Sequence, residues 1–259
     1  LSLFQCLGIS RFLAFEPNYF IIMYQGKKII VVLPAYNAAA TLEQTVADLP
    51  GVVDEIILVD DGSSDDTIKL AQRLGLFVFA HQRNRGYGAN QKSCYRLALE
   101  RGADIVVMVH PDYQYDPRLV SYFASFIADD YFDVMLGSRV RSRQETLRGG
   151  MPIYKYYANR FLTFVENLAT GQNLSEWHTG MRAYSREVLS SLDFSKTSDD
   201  FIFDTQVLLQ IVQRKWRIGE IPVPVRYFSE ASSINWRRGL RYGVGTLFLA
   251  IFYFFGYRP

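Results

Sequence analysis

Cysteine is nearly absent from this 259-residue chain, which carries only Cys6 and Cys94. Two thiols cannot form a disulfide framework and their spacing matches no metal site, so a stapled secreted mini-domain is excluded and a reducing, cytoplasmic compartment fits. Charge imbalance is absent too: 28 basic against 26 acidic residues leave +2, which gives no reason to expect a nucleic-acid partner. Internal repeats and low-complexity linkers are missing. The first 22 residues lack the early basic region and the small-residue cleavage site of a signal peptide. What the chain does have is 49% apolar residues, enough for a substantial core, in a length that suits one large domain or two small ones.

Residues 1–26 are apolar without a clean period and are interrupted by Arg11, Glu16 and Pro17. They are expected to be an extension ahead of the folded unit, with Met23 as the natural start. Beyond them the pattern is regular. Apolar runs at 29–33, 55–59, 76–79, 105–109 and 134–137 read as buried strands, and helices are expected at 41–49, 65–74, 89–100 and 117–128 between them. This alternation predicts an α/β fold with a mostly parallel central sheet and helices on both faces. Further helices are expected at 155–169 and 200–214, then an edge strand at 217–225, because Pro222 and Pro224 cannot complete an interior ladder. The folded domain is expected to span 27–231, followed by a tail at 232–259.

Open α/β sheets bind ligands where the chain leaves the carboxyl ends of strands. The first such exit, Pro34-Ala35-Tyr36-Asn37, reads by itself as a turn. The second, Asp60 to Thr67, is less easily dismissed. Ser64 or Asp65 can cap the next helix, but capping does not require Asp60 and Asp61, whose carboxylates suit a ribose or a base N–H. The third, Asn84 to Asn90, has glycines that permit close backbone approach ahead of a helix N-terminus able to face an anion. The fourth is His110-Pro111-Asp112-Tyr113-Gln114-Tyr115-Asp116-Pro117. In an extended chain His110, Asp112 and Gln114 project to one side, and imidazole, carboxylate and amide oxygen together can hold a divalent cation.

These loops, in this order, resemble the family 2 glycosyltransferases of the GT-A fold, which include dolichol-phosphate mannose synthases and bacterial polyprenyl-phosphate sugar transferases. The likeness runs from about Lys28 to Ile234: VVLPAYN, ILVDDGSSDDT, NRGYGANQK, HPDYQYDP in the place of DxDxQxDP, Gly137-Ser138-Arg139, HTGMRAYSREVL, and IGEIPVPVRY with Ser232 and Ser233 after it. The resemblance implies inverting transfer of a sugar from a nucleotide-diphosphate donor of the UDP or GDP type. Pro34 and Tyr36 would flank the base, Asp61 would contact base or ribose with Asp60 behind it, and Asn37, Ser63, Gly88 and Arg139 would complete the donor site. Asp112 and Gln114 would hold Mg²⁺ or Mn²⁺ against the diphosphate, and Arg226 would close a late loop over it. Two departures stand out. Ala38 occupies a position where the family often has Glu. His110 replaces the first Asp of DxD, and either ligates the metal or hydrogen-bonds the ribose or a neighbour.

The acceptor decides whether a base is needed. A lipid phosphate arrives ionised; a hydroxyl needs a carboxylate within hydrogen-bond reach. The resemblance implies an Asp at the start of a late helix for that role; Asp204, in FDTQ, falls near that position and Asp199 and Asp200 are close alternatives, any of which can instead cap the helix. Lys155, Arg160, His178 and Thr179 are expected on the acceptor side, with Arg141, Arg143 and Arg148 able to add to a phosphate-binding cluster. The tail from Tyr242 to Tyr257 is uncharged for sixteen residues and follows Arg237, Arg238 and Arg241. It is short of the roughly 20 residues a membrane span needs. It suits an aromatic-rich helix in the membrane interface, or one packed on the domain or into a homo-oligomer. The expectation is a glycosyltransferase at the cytoplasmic membrane face of a bacterium or archaeon, with a polyprenyl-phosphate or envelope glycan acceptor. The alternatives are a hydroxyl-acceptor polysaccharide transferase and a nucleotide-sugar-binding protein that has lost catalysis with its altered DxD.

Overall fold

The computed structural model describes residues 24–140, 142–224 and 236–257. The expectations for residues 1–22 and Met23, Arg141, Arg226, Ser232 and Ser233 concern positions outside these. Seven strands form one sheet: β1 Ile29–Ala35, β2 Glu55–Asp60, β3 Phe77–Ala80, β4 Ile105–Met108, β5 Val134–Ser138, β6 Arg182–Ser185 and β7 Ile218–Pro222, in the order β3-β2-β1-β4-β6-β5-β7. The helices are α1 Leu42–Ala47, α2 Thr67–Arg73, α3 Tyr87–Glu100, α4 Val120–Ala128, α5 Arg143–Arg148, α6 Ile153–Thr170, α7 Arg186–Ser191, α8 Phe203–Gln213 and α9 Trp236–Phe254.

Every residue of β1 is buried, because both faces of the strand are covered. Ile30 and Val32 join Ile57, Val59 and side chains of α3, α7 and α8 in one core. Ile29, Val31 and Leu33 join Leu42, Leu70 and Phe123 in the other. Alternate residues therefore feed opposite layers, which is why the strand reads as a continuous apolar run. β3, β2, β1 and β4 pair in parallel, as do β5 and β7.

The main departure from expectation is β6, a strand not foreseen in the RAYS segment. It runs antiparallel between β4 and β5, with Arg182 opposite Met108. Its consequence is local: the 176–181 segment arrives directly against the chain leaving β4. Smaller corrections follow capping chemistry. Pro117 starts a 3₁₀ turn, Pro117–Leu119, rather than the helix itself, and Asp116 accepts the Arg118 N–H there. α1 begins at Leu42, and the Thr41 hydroxyl just ahead of it donates to the Pro111 carbonyl and ties α1 to the fourth loop. α3 begins two residues before Ala89, at Tyr87. β7 lies at the sheet edge, where its prolines are tolerated.

Candidate active site

The first two strand exits are laced together. The Asn37 N–H donates to Ser63 Oγ (2.8 Å), Asn37 Oδ1 accepts from the Ser64 N–H (2.8 Å), and the Ala38 N–H donates to Thr67 Oγ1 (2.8 Å). Asn37 holds a left-handed backbone, φ 52°, and Tyr36 beside it is 56% exposed. Pro34 is buried at the end of β1. Asp60 is fully buried; its Oδ2 accepts the N–H groups of Gly62 and Ser63, while Oδ1 has no partner among the described residues.

Asp61 turns to the third loop. Its Oδ1 accepts from His81 Nδ1 (2.7 Å) and the Arg85 N–H (2.9 Å), and its Oδ2 accepts from the Gly86 N–H (2.9 Å). His81 Nε2 pairs with Ser93 Oγ at 2.9 Å. This Asp–His–Ser line has the order of a hydrolytic triad, yet Ser93 sits in the middle of α3, where helical N–H groups are committed and form no oxyanion hole. Its effect is to fix Asp61 and, through it, the glycine loop. Gly86 has φ 103°, and a Cβ at Gly88 would lie 2.5 Å from the Ser198 carbonyl oxygen. The N–H groups of Gly88 and Ala89 donate to the Asp199 carbonyl at 2.8 and 3.2 Å. The close approach allowed by these glycines is thus to the 198–199 backbone, and the start of α3 is capped by protein rather than left facing an anion.

The fourth loop meets α3, α8 and β6 at one point. Tyr87 stacks on His110 (centroids 5.6 Å) and on Phe201 (4.8 Å). Its hydroxyl donates to Asp204 Oδ2 at 2.9 Å and lies 3.3 Å from His110 Nε2. Burial and the neighbouring Asp204 push the Tyr87 phenol well above its ordinary pKa, so it stays a donor. Gln91 Nε2 donates to Asp204 Oδ1 (3.1 Å), and the fully buried Arg182 approaches Oδ2 at 3.7 Å. Arg182 also donates to the carbonyls of Thr179 and Trp177 at 2.9 and 3.1 Å. Gly180 completes the packing: a Cβ there would come within 2.8 Å of His110 Cδ2. Burial lowers the His110 pKa despite Asp112 and Asp204, so its imidazole is neutral near pH 7.

The residues expected on the acceptor side occupy a second constellation. The Arg139 N–H donates to Glu176 Oε2 (2.7 Å), its guanidinium donates to Glu176 Oε1 (2.8 Å from Nε), and a further bond reaches the His178 carbonyl (2.6 Å). Burial alone would raise the Glu176 carboxyl, but the charge and hydrogen bonds of Arg139 hold it below the usual carboxylate range. His178 Nδ1 lies 2.6 Å from the Tyr242 hydroxyl on α9. His178 Nε2 sits 3.1 Å from Glu166 Oε2, at an angle too poor for a hydrogen bond. Thr179 is buried. Lys155 and Arg160 lie on α6, where Arg160 donates to the Ser175 carbonyl at 2.7 Å. Asp200 is exposed and its carboxylate accepts the adjacent Phe201 N–H. Sequence reasoning gave no individual role to His81, Tyr87, Gln91 or Arg182, although the last three stand inside segments it had singled out.

Among the described residues no three His, Cys, Asp or Glu side chains gather to hold a metal. His110 Nε2 faces Tyr87, and Asp112 Oδ1 accepts the Gln114 N–H at 3.1 Å. One half-buried carboxylate beside an amide fits the way Mg²⁺ is commonly held, by one or two carboxylates with substrate phosphates completing its shell. It does not fit an all-protein cage.

Comparison with known proteins agrees with this arrangement. The pattern described as "Glycosyl transferase family 2" matches residues 30–193. A UDP-N-acetylglucosamine–dolichyl-phosphate N-acetylglucosaminyltransferase of Methanococcus voltae is 28% identical over 81% of this chain and 90% of its own length. A dolichyl-phosphate hexose transferase of Haloferax volcanii is 29% identical over 78% and 85%. Among solved structures, glucosyl-3-phosphoglycerate synthase of Mycobacterium tuberculosis, in complex with Mn²⁺, uridine-diphosphate and glucosyl-3-phosphoglycerate, superposes with TM-score 0.67 at 23% identity, covering 87% of this chain and 80% of its own. That likeness shows the shared fold, an α/β sheet of the GT-A kind. With the family pattern covering most of the chain, these findings place the protein among the glycosyltransferases of family 2.

Proposed function

We propose that this protein moves a sugar from a nucleoside diphosphate, of the UDP or GDP type, to the phosphate of a polyprenyl phosphate, inverting the anomeric carbon, at the cytoplasmic face of a membrane. The observation that carries the choice of acceptor is the engagement of Asp204. Its carboxylate already accepts from Tyr87 and Gln91 and neutralises a buried Arg182. A general base needs a lone pair turned to the substrate hydroxyl. A phosphate acceptor needs no base, because its oxygen is ionised on arrival. The names of the two archaeal relatives, both dolichyl-phosphate transferases, support the same reading.

The residues divide the work as follows. Pro34 and the exposed Tyr36 flank the base, with Asn37 and Ser63 fixing that loop. Asp60 holds the Gly62–Ser63 turn behind the nucleoside side of the loop, and Asp61 orders the glycine loop. Asp112 and Gln114 are the residues that would hold Mg²⁺ or Mn²⁺ together with the diphosphate. A divalent ion there would stabilise the charge gathering on the leaving diphosphate. Asp204 and Arg182 anchor the floor beneath His110, and His110 stays neutral against Tyr87. Arg139, through Glu176, shapes the side on which Lys155 and Arg160 meet the acceptor.

A thermal-shift screen of UDP- and GDP-sugars with Mn²⁺ and Mg²⁺ tests the donor half. Ligand at about 100 times its dissociation constant stabilises the folded state by about 2.7 kcal/mol. A metal-dependent rise that disappears in Asp112→Ala is expected. The absence of any shift, or one unchanged in Asp112→Ala, would overturn the assignment.

A further inference from the structure

The family pattern ends at residue 193, and α9 lies beyond it. The helix is nonetheless seated closely on the domain. A Cβ at Gly243 would touch Leu162 of α6 at 3.7 Å, and one at Gly245 would lie 2.6 Å from Ile202, just ahead of α8. The faces that meet there carry polar groups: α6 buries Asn159, Thr163 and Glu166, and α9 buries Thr246.

Tyr242 of α9 points into this seam. Its hydroxyl lies 2.6 Å from His178 Nδ1, and the two rings meet edge to face with centroids 5.5 Å apart. Burial and the Glu166 charge push the phenol above its ordinary pKa, so it keeps its proton and donates to Nδ1. The imidazole proton then sits on Nε2, which faces Glu166 Oε2 at 3.1 Å. The His178 ring is thus held between α9 and α6.

The backbone of His178 is a junction of the candidate site. Its carbonyl accepts from the Arg139 guanidinium at 2.6 Å. Arg139 follows β5, which runs in the same direction as β4, so it stands on the sheet edge that carries the fourth loop. Nearby, the Gly180 N–H donates to the Tyr115 hydroxyl oxygen at 2.9 Å, and Gly180 packs against His110. The 178–180 backbone therefore holds Arg139 on one side and the loop of Asp112 and Gln114 on the other. A shift of its anchor moves both.

We infer that Tyr242 is a positioning residue for sugar transfer: through His178 it fixes the carbonyl that holds Arg139 and the segment that backs the fourth loop, so the site is complete only with α9 in place. The inference rests on the proposed transfer reaction, but half of its test needs no turnover.

Tyr242→Phe keeps the ring and removes the hydroxyl. In transfer from a UDP- or GDP-sugar to polyprenyl phosphate by the full chain, kcat should fall about ten- to a hundredfold, the effect of displacing positioned groups by up to about 1 Å. KM for the sugar nucleotide should change about threefold at most, and unfolding should stay cooperative. His178→Gln keeps a group near Nε2 but none at Nδ1; it should match Tyr242→Phe, and the double variant should lose little more than either. His178→Asn keeps an acceptor near Nδ1 and should lose less than His178→Gln. A merely structural role gives no such order, and a base at His178 would leave Asn as inactive as Gln. The second half is nitrogen NMR. With three histidines in the chain, labelled imidazole spectra resolve His178. Tyr242→Phe should move its Nδ1 resonance together with the Arg139 Nε–H signal, identified by its loss in Arg139→Lys. An Arg139 signal that stays in place would overturn the inference, and so would an unchanged kcat in a protein that transfers sugar. A wild-type chain that transfers no sugar, while its Arg139 signal still answers to Tyr242, would uphold the coupling and count against the transfer reading alone.

Discussion

Replacing Asp204 by Asn separates an anchor from a base. Arg182 is fully buried, and its one carboxylate neighbour in the described structure is Asp204 at 3.7 Å. With an effective dielectric near 20, the attraction across 3.7 Å is about 4 kcal/mol. Asn removes that charge and leaves the guanidinium on carbonyls alone. It also presents an amide NH₂ to either Tyr87 or Gln91, both of which donate to the present carboxylate. Breaking one side of a buried pair costs about 3–5 kcal/mol, and a loss in that range is expected by urea denaturation of Asp204→Asn. Arg182→Met removes the other charge, so the double variant should recover part of the loss, with a coupling energy of about 1–3 kcal/mol. A base would behave otherwise: Asp204→Asn would abolish turnover while the urea midpoint stayed in place. A stability change below about 1 kcal/mol, with no coupling to Arg182, refutes the anchor argument.

Other consequences are as direct. The Glu176 carboxyl is depressed by Arg139, so its contribution to stability is complete above the unfolded value of 4.5 and is lost as pH falls through the lower folded value. Glu176→Gln should therefore flatten the acid limb of the stability–pH curve while lowering stability at neutral pH, as measured by denaturation across pH. Gly180→Ala puts a Cβ within 2.8 Å of His110 Cδ2; transfer activity should fall severalfold while cooperative unfolding persists. Gly88→Ala brings a Cβ to 2.5 Å from the Ser198 carbonyl oxygen, and a loss of about 1–3 kcal/mol is expected in urea.

The sheet was legible because its strands are buried on both faces. Runs such as Ile29 to Leu33 have no amphipathic ambiguity when each side feeds a core. β6 was not legible. Four residues containing an arginine carry no periodic signal, and Arg182 can be buried there because Asp204, twenty-two residues on, offsets its charge while the nearby carbonyls of Thr179 and Trp177 accept its N–H groups. The strand-exit loops were readable as a set, since each follows a recognisable apolar run. Their internal bonding was not. Asp61 looked available to a nucleoside, whereas His81, twenty residues on, claims one of its oxygens. Tyr87 and Asp204 are 117 positions apart, and only the stacking of α3 against α8 brings them to 2.9 Å. The tail showed its aromatic composition in sequence; that Tyr242 within it meets His178, 64 positions away, emerged only when α9 was seen packed on α6.

The central claim, transfer to a phosphate oxygen, is tested most directly by supplying a labelled sugar nucleotide and metal with either a polyprenyl phosphate or the corresponding polyprenyl alcohol. Label should pass into the lipid fraction with the phosphate and not with the alcohol. Transfer to the alcohol, lost in an Asp204→Asn variant that remains folded, would contradict the account and identify a base-dependent hydroxyl transferase.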